Sequence, residues 1–268
     1  MTVINTSASL RALSFAVVAT ALLAAGCSAP AAAASEDFGD FVVRPAVLES
    51  DTYTELAAQL SEERWLEDVA DVLNASLILP VEIGMRFAEC GQNNAFYIPA
   101  DREIQICIEM FEGEREVFAA YYNTEAEVED AVAGSFMFTV FHEVGHALVD
   151  VLEIPFTGRE EDTVDSLAAW WLIDGDDGEQ SAIAGALSFY TDPDQAAAVE
   201  ESQLAGHHSL SQQRYYTLTC LVYGSDTEKY ASLLEEEWLT PERAEQCPAE
   251  FERLSASWYA LLDAHLKE

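Results

Sequence analysis

Residues 136–152, FMFTVFHEVGHALVDVL, form a run of large apolar residues that two histidines and a glutamate interrupt. On a helix, His142 and His146 would lie on one face, one turn apart. Two imidazoles at this spacing can bind one metal ion, and Glu143 beside them can reach a water on that ion. A metal explains such buried polar groups better than two unrelated core histidines and a surface glutamate do, because buried polar groups need partners. We therefore expect one Zn²⁺ ion held by His142 and His146, with Glu143 as the catalytic base.

A third protein ligand is expected from the segment GREEDTVDSLAAWW that follows. Glu161 and Asp165 would share one face of a second helix, where Glu161 can complete the metal site. Asp165 is expected to accept a hydrogen bond from the free ring nitrogen of a ligating histidine. A register shifted by one residue would make Asp162 the ligand instead, and the helix dipole alone accounts for Glu160.

An HExxH helix followed by a helix with E-x-x-x-D resembles the gluzincin group of zinc peptidases, which includes thermolysin. The matching residues are His142, Glu143, His146, Glu161 and Asp165. The resemblance implies a zincin-like fold and a hydrolase that cuts peptide or protein substrates.

The segment NAFY is similar to the edge strand that binds peptide in thermolysin-like enzymes. An edge strand offers unpaired N–H and C=O groups to an extended peptide, so Asn94 and Ala95 are expected to bind substrate. A plain sheet strand would have the same local pattern. Most of residues 85–227 also resembles an uncharacterised bacterial family of proposed metallopeptidases. The pieces that carry this resemblance are NAFY, REIQIC, FHEVGHALVD, REEDTVDSLAAWW and HSLSQQRYYTLTCLVYGSD.

The donor to a developing oxyanion must come from elsewhere, because the interval between His146 and Glu161 is shorter than in thermolysin and contains no tyrosine. The segment AGHHSLSQQRYY offers the candidates His207, His208, Arg214, Tyr215 and Tyr216. We prefer His208 for this catalytic role. Arg214 is expected to bind either a substrate carboxylate or an internal acid.

Two other functions fit a chain with this motif. The protein could be a zinc-binding lipoprotein without catalysis, or an interaction protein that retains a metallopeptidase fold. Glu143 argues against simple metal storage, because a storage site needs no base beside its water.

Residues 1–27 are predicted to be a signal peptide, because one positive charge precedes a short apolar run. The run ends in LAAGC, which resembles the lipobox of bacterial lipoproteins and predicts lipidation at Cys27. Ordinary cleavage within SAPAAAAS is the alternative. Residues 28–40 would form a tether and residues 41–268 the zincin-like domain. We thus expect an exported protein, held only by a lipid anchor to the bacterial membrane and facing the periplasm or the exterior.

The chain is strongly acidic, with 12 Lys and Arg against 49 Asp and Glu. It has no basic surface to neutralise phosphates, so nucleic acid is excluded as an expected partner. Long-range repulsion would also slow the approach of a very acidic substrate.

Four cysteines remain after Cys27, an even number that agrees with an oxidising compartment. We predict the disulfides Cys90–Cys107 and Cys220–Cys247, since each pair is local and closes a modest loop. The chain contains no CxxC spacing, so a thiolate metal site is not expected.

The hydrophobic pattern predicts an α+β fold in which a small N-terminal antiparallel sheet packs on the HExxH helix and a mainly helical half follows. Helical spacing starts at TYTELAAQLSEERWLEDVADVLNASL, ILPVEIGMRF is a predicted strand, and AFYI and EIQICIEM form a predicted hairpin. A helix should also start near Thr157 or Gly158. Further helices are predicted at 112–122, 125–153, 179–190, 194–203, 210–223, 226–237 and 248–266.

Overall fold

The computed structural model describes residues 37–174, 178–190 and 199–267. The predicted signal peptide, Cys27 and most of the tether therefore lie outside the described residues, as does the first half of the helix predicted at 194–203.

Four strands form one mixed sheet in the described part of the chain, in the order β1-β2-β4-β3. The strands are β1 (Phe41–Val43), β2 (Ile83–Ala88), β3 (Ala95–Ile98) and β4 (Glu103–Cys107). β1 pairs parallel with β2 and β2 pairs parallel with β4, whereas β3 pairs antiparallel with β4. The predicted hairpin is thus confirmed, but the prediction of an antiparallel sheet is wrong. A helical crossover joins β1 to β2, and β3 folds back outside β4, so the three other strands share one direction.

The first helical segment is divided into α1 (Thr54–Glu62) and α2 (Trp65–Ser76). The chain turns at Arg64, whose φ is 61°, a left-handed value that ends a helix. Its guanidinium also hydrogen-bonds Asp68 and Asp71 of α2, at 2.9 and 2.7 Å.

The remaining helices follow the sheet and complete the α+β class predicted from the sequence. They are α3 (Met110–Phe118), α4 (Glu125–Val151), α5 (Glu160–Asp174), α6 (Glu179–Ser188), α7 (Glu201–Leu204), α8 (Ser211–Ser225), α9 (Ala231–Glu235), α10 (Pro241–Ala244) and α11 (Cys247–Leu262), with a 3₁₀ turn at Asp263–His265. The helix predicted at 226–237 is much shorter than expected, since it is confined to α9.

Helix α4 carries the HExxH motif through the centre of the protein. Thr124 caps it, accepting from the Glu127 N–H while the Glu127 side chain accepts from the Thr124 N–H. The helix packs against α3, α5 and α6 and against the strands β3 and β4. By length and composition it could cross a membrane, but 78% of its apolar window is buried inside the protein. It is therefore the core helix of this fold.

Close contact between α4 and α5 depends on Gly145, the fourth residue of HEVGH. A Cβ at this position would lie 2.7 Å from the Cβ of Val164 on α5. Because no side chain intervenes, the polar face of α5 can lie directly against the two histidines of α4.

Both predicted disulfides are present. Cys90–Cys107 joins the loop before β3 to the end of β4, and Cys220–Cys247 joins α8 to α11.

Candidate metal centre and substrate cleft

Three histidines converge on one carboxylate oxygen at the α4–α5 contact. The Oε2 atom of Glu161 lies 3.2 Å from His142 Nε2, 3.4 Å from His146 Nε2 and 2.9 Å from His208 Nε2. His142 is buried, whereas 53% of the His208 side chain is exposed. The sequence predicted Glu161, His142 and His146 as one cluster, and the structure places His208 beside them.

A carboxylate hydrogen-bonds the Nδ1 atom of each HExxH histidine. His142 Nδ1 lies 2.8 Å from Asp165 Oδ1, and His146 Nδ1 lies 2.8 Å from Glu160 Oε1. With Nδ1–H donating to a carboxylate, each neutral imidazole has its lone pair on Nε2. Both lone pairs then face the same Glu161 oxygen.

These residues fit a metal ion. Glu161 Oε2 is buried and has no hydrogen-bond partner, although three ring nitrogens lie close to it. Two imidazole lone pairs facing a carboxylate oxygen repel each other unless a cation or a proton lies among them. Ligand atoms of His142, Glu161 and His208 all lie within 4.8 Å of one another, and mixed nitrogen and oxygen donors suit zinc.

The electrostatics of the cluster favour positive charge. Burial opposes protonation of His142, but its hydrogen bond to Asp165 and its contact with Glu161 prevail and raise its pKa to about 9. For Glu161, burial acts to raise the pKa, yet the contacts with His142, His146 and His208 lower it well below its usual value. The cluster therefore holds ionised carboxylates around a point that attracts a cation.

Glu143 is buried beside this cluster. Burial raises the pKa of its carboxyl, while the neighbouring imidazoles and the backbone N–H of Tyr97 act in the opposite direction. A carboxylate with an elevated pKa is a better proton acceptor than an exposed one.

A cleft of about 520 Å³ opens over Glu143 and the histidines. Asn94 and Ala95 line it at the start of β3, and His208 and Arg214 line it from the helical half. β3 is an edge strand, because its one partner in the sheet is β4. The predicted substrate strand and the predicted metal ligands thus border the same cleft.

Arg214 contacts an internal acid. Its Nε and Nη2 atoms donate to the two carboxylate oxygens of Asp165, both at 2.7 Å, and its guanidinium lies 3.7 Å from the Phe189 ring centroid. The sequence left two roles open for Arg214, and this ion pair is the contact that the structure shows.

The other proposed donors lie away from the cleft lining. His207 borders a smaller cavity of about 390 Å³ that shares His146, Glu160 and Glu161 with the cleft. Tyr215 is buried against Tyr190, Tyr216 and Trp238.

The profile of the family DUF4344, described as "Putative metallopeptidase", matches residues 47–262. The chain belongs to this family. Neither a curated protein nor a solved structure matches the chain. Membership in DUF4344 indicates peptidase function and implies a metal ion, to which the cluster around Glu161 offers ligands.

In this DUF4344 chain, sequence reasoning missed the role of Glu160. The sequence predicts only a solvated carboxylate in the first turn of α5, whereas Glu160 Oε1 lies 2.8 Å from His146 Nδ1. The sequence signal for this contact was that Glu160 directly precedes Glu161, the predicted ligand beside His142 and His146. Asp162, the alternative ligand, instead accepts a hydrogen bond from Ser209 Oγ at 2.9 Å.

Proposed function

We propose that this protein is a zinc-dependent peptidase of the gluzincin type, with a zincin-like fold and Glu143 as general base. The observation that carries the proposal is the convergence of His142 and His146 on the buried, unpartnered oxygen of Glu161, directly beneath a cleft with an edge strand.

His142, His146 and Glu161 would hold the ion. When bound, zinc supplies a Lewis acid that polarises a carbonyl and lowers the pKa of water. Asp165 and Glu160 keep the two imidazoles oriented and increase their basicity as ligands. Arg214 in turn fixes Asp165.

Glu143 would transfer a proton from the attacking water to the leaving amine. It takes a proton from the attacking water as the water oxygen bonds to the substrate carbonyl carbon. It then donates this proton to the amide nitrogen as the C–N bond breaks, so that a carboxylic acid and an amine leave.

His208 would donate a hydrogen bond from Nε2 to the oxygen that gains charge. Its position supports this role, because the ring stacks near that of His142 with centroids 6.3 Å apart and an interplanar angle of 19°. Arg159 Nη1 donates to the His208 carbonyl at 2.6 Å and so holds the loop.

The substrate would be a peptide or protein that adds to the free edge of β3. Ala95 would pair with its backbone at the sheet edge, and Asn94 would contact it through the side chain, because the Asn94 carbonyl accepts from the Cys107 N–H. The net charge of −37 supports a protein substrate over nucleic acid.

We propose that the protein is exported and lipid-anchored at Cys27, facing the periplasm or the exterior. The N-terminal pattern supports this, and the two disulfides agree with an oxidising compartment.

A second candidate function is metal binding without catalysis. It is favoured by His208, whose Nε2 is the ring nitrogen closest to Glu161 Oε2. Four protein ligands would close the site, as in structural zinc centres.

Zinc content and hydrolysis of a mixed peptide library, with and without a chelator, distinguish these functions. The peptidase proposal predicts about one zinc per chain and cleavage that the chelator abolishes. Stoichiometric zinc without chelator-sensitive cleavage would favour the closed metal site.

A further inference from the structure

The cleft contains one carboxylate that the proposed chemistry does not use. Glu114, on α3, lines the cleft with the start of β3 and with the apolar side chains of Met110 and Phe138. It is partly buried, and its Oε2 accepts a hydrogen bond from Ser135 Oγ of α4 at 3.0 Å.

The partners of Glu114 are neutral. Besides Ser135, the side chain of Asn93 hydrogen-bonds it, and burial raises the pKa of this carboxyl. Asn93 packs closely on Gly113, where a Cβ would lie 2.1 Å from its Nδ2. Within the described residues, therefore, no positive charge compensates a carboxylate that is partly desolvated.

Two arginines near the cleft are already paired with acids. Arg214 binds both oxygens of Asp165, and Arg115 binds both oxygens of Glu129 at 2.7 and 2.9 Å. Glu114 contacts α4 at Ser135, about two helical turns from the proposed metal ligand His142.

The spacing on α4 sets that separation. Ser135 and His142 are seven residues apart, which corresponds to about 10 Å along a helix. A long cationic side chain on a residue beside the scissile bond can cover much of this distance, whereas the α-ammonium of such a residue cannot.

We propose that Glu114 is a specificity-determining residue that selects substrates carrying a lysine or arginine near the scissile bond, at the end of the cleft where β3 begins. This inference rests on the proposed peptidase function and names its substrate class. The bound cation would donate to a carboxylate oxygen of Glu114, while Asn93 and Ser135 hold that carboxylate in position. The acidic surface of the protein would speed the approach of such substrates.

The test uses end-blocked peptides built on a sequence that the mature, zinc-loaded protein cleaves. Lysine, acetyl-lysine and norleucine are compared at each position flanking the cut. A norleucine peptide with a free N-terminus tests the α-ammonium as an alternative source of charge. We expect lysine at one position to raise kcat/KM about ten- to hundredfold over both uncharged residues, as for a hydrogen bond to a charged group.

Substitutions on α3 test whether the lysine preference depends on Glu114. Glu114→Gln should lose the lysine preference and retain cleavage of the norleucine peptide. Glu114→Asp, which keeps the charge, should retain a weaker preference. The matched control Glu116→Gln removes the same charge from an exposed position of α3 and should change nothing. A preference that survives Glu114→Gln, or that follows the free N-terminus, would overturn the proposal.

Binding separates this inference from the proposed function. Fluorescence anisotropy with labelled lysine and norleucine peptides reports selection without cleavage. Charge-selective binding without hydrolysis would refute the peptidase and support Glu114. Hydrolysis without any charge preference would refute the role of Glu114 and leave the peptidase standing. Neither binding nor hydrolysis would refute both.

Discussion

At the residue scale, spacing along a helix was the most informative property of the sequence. The separation of His142 from His146, and of Glu161 from Asp165, predicted two polar faces, and the structure places these faces together. Glu160 could not be placed in the same way, because its direction depends on how α5 packs on α4. The contact of Arg214 with Asp165 spans 49 residues and has no local signature.

Glu160 should tune the affinity for the metal through His146. Glu160→Gln removes the charge that orients the ring, so we expect about 10- to 100-fold weaker zinc binding in a chelator competition. Asp162→Asn is the matched control, because Asp162 contacts Ser209 instead. Equal zinc affinities of the two variants would contradict the role of Glu160.

Substitution of His208 distinguishes a catalytic role of this residue from a role as a metal ligand. If it donates to the oxyanion, His208→Ala should lower kcat about 10²–10³-fold and leave the zinc content unchanged. Zinc analysis and steady-state kinetics on the same preparation measure both quantities. Loss of zinc in this variant would show instead that His208 is a ligand.

At the element scale, the helices were easier to predict than the sheet. Long helices such as α4 show their period within one stretch of sequence. The parallel pairing of β1, β2 and β4 depends on contacts between distant segments, and β1 has only three residues. Local periodicity therefore predicted the hairpin and missed the mixed order of the sheet.

The α4–α5 contact should be sensitive to a single methyl group. Gly145→Ala places a Cβ against Val164, so we expect a loss of about 1–3 kcal/mol in the free energy of unfolding and weaker zinc binding. Urea denaturation and chelator competition measure these effects. Adding Val164→Ala should restore zinc affinity, and a double variant that binds no better than Gly145→Ala would contradict this account.

At the scale of the whole molecule, the two predicted disulfides join the segments around the sheet and the helices of the C-terminal half. The pairing could be predicted because both loops are short in sequence, with separations of 17 and 27 residues. The cleft could not be predicted in this way, since it lies between β3, α3, α4 and the α8 segment.

The Cys220–Cys247 disulfide should stabilise the helical half. Replacing both cysteines with serine should lower the free energy of unfolding by about 2–4 kcal/mol and leave zinc content unchanged, because the bridge lies away from the histidine cluster. Urea denaturation and metal analysis measure the two effects. An unchanged midpoint would show that the bridge contributes little.

The most direct test of the central claim is to measure zinc content and peptide hydrolysis together in Glu143→Gln. Glutamine preserves the shape of the side chain but cannot accept the proton. The account predicts full zinc occupancy and a loss of roughly 10²–10⁴-fold in kcat, with the fold unchanged. Hydrolysis at the wild-type rate in the zinc-loaded variant would contradict the assignment of Glu143 as general base.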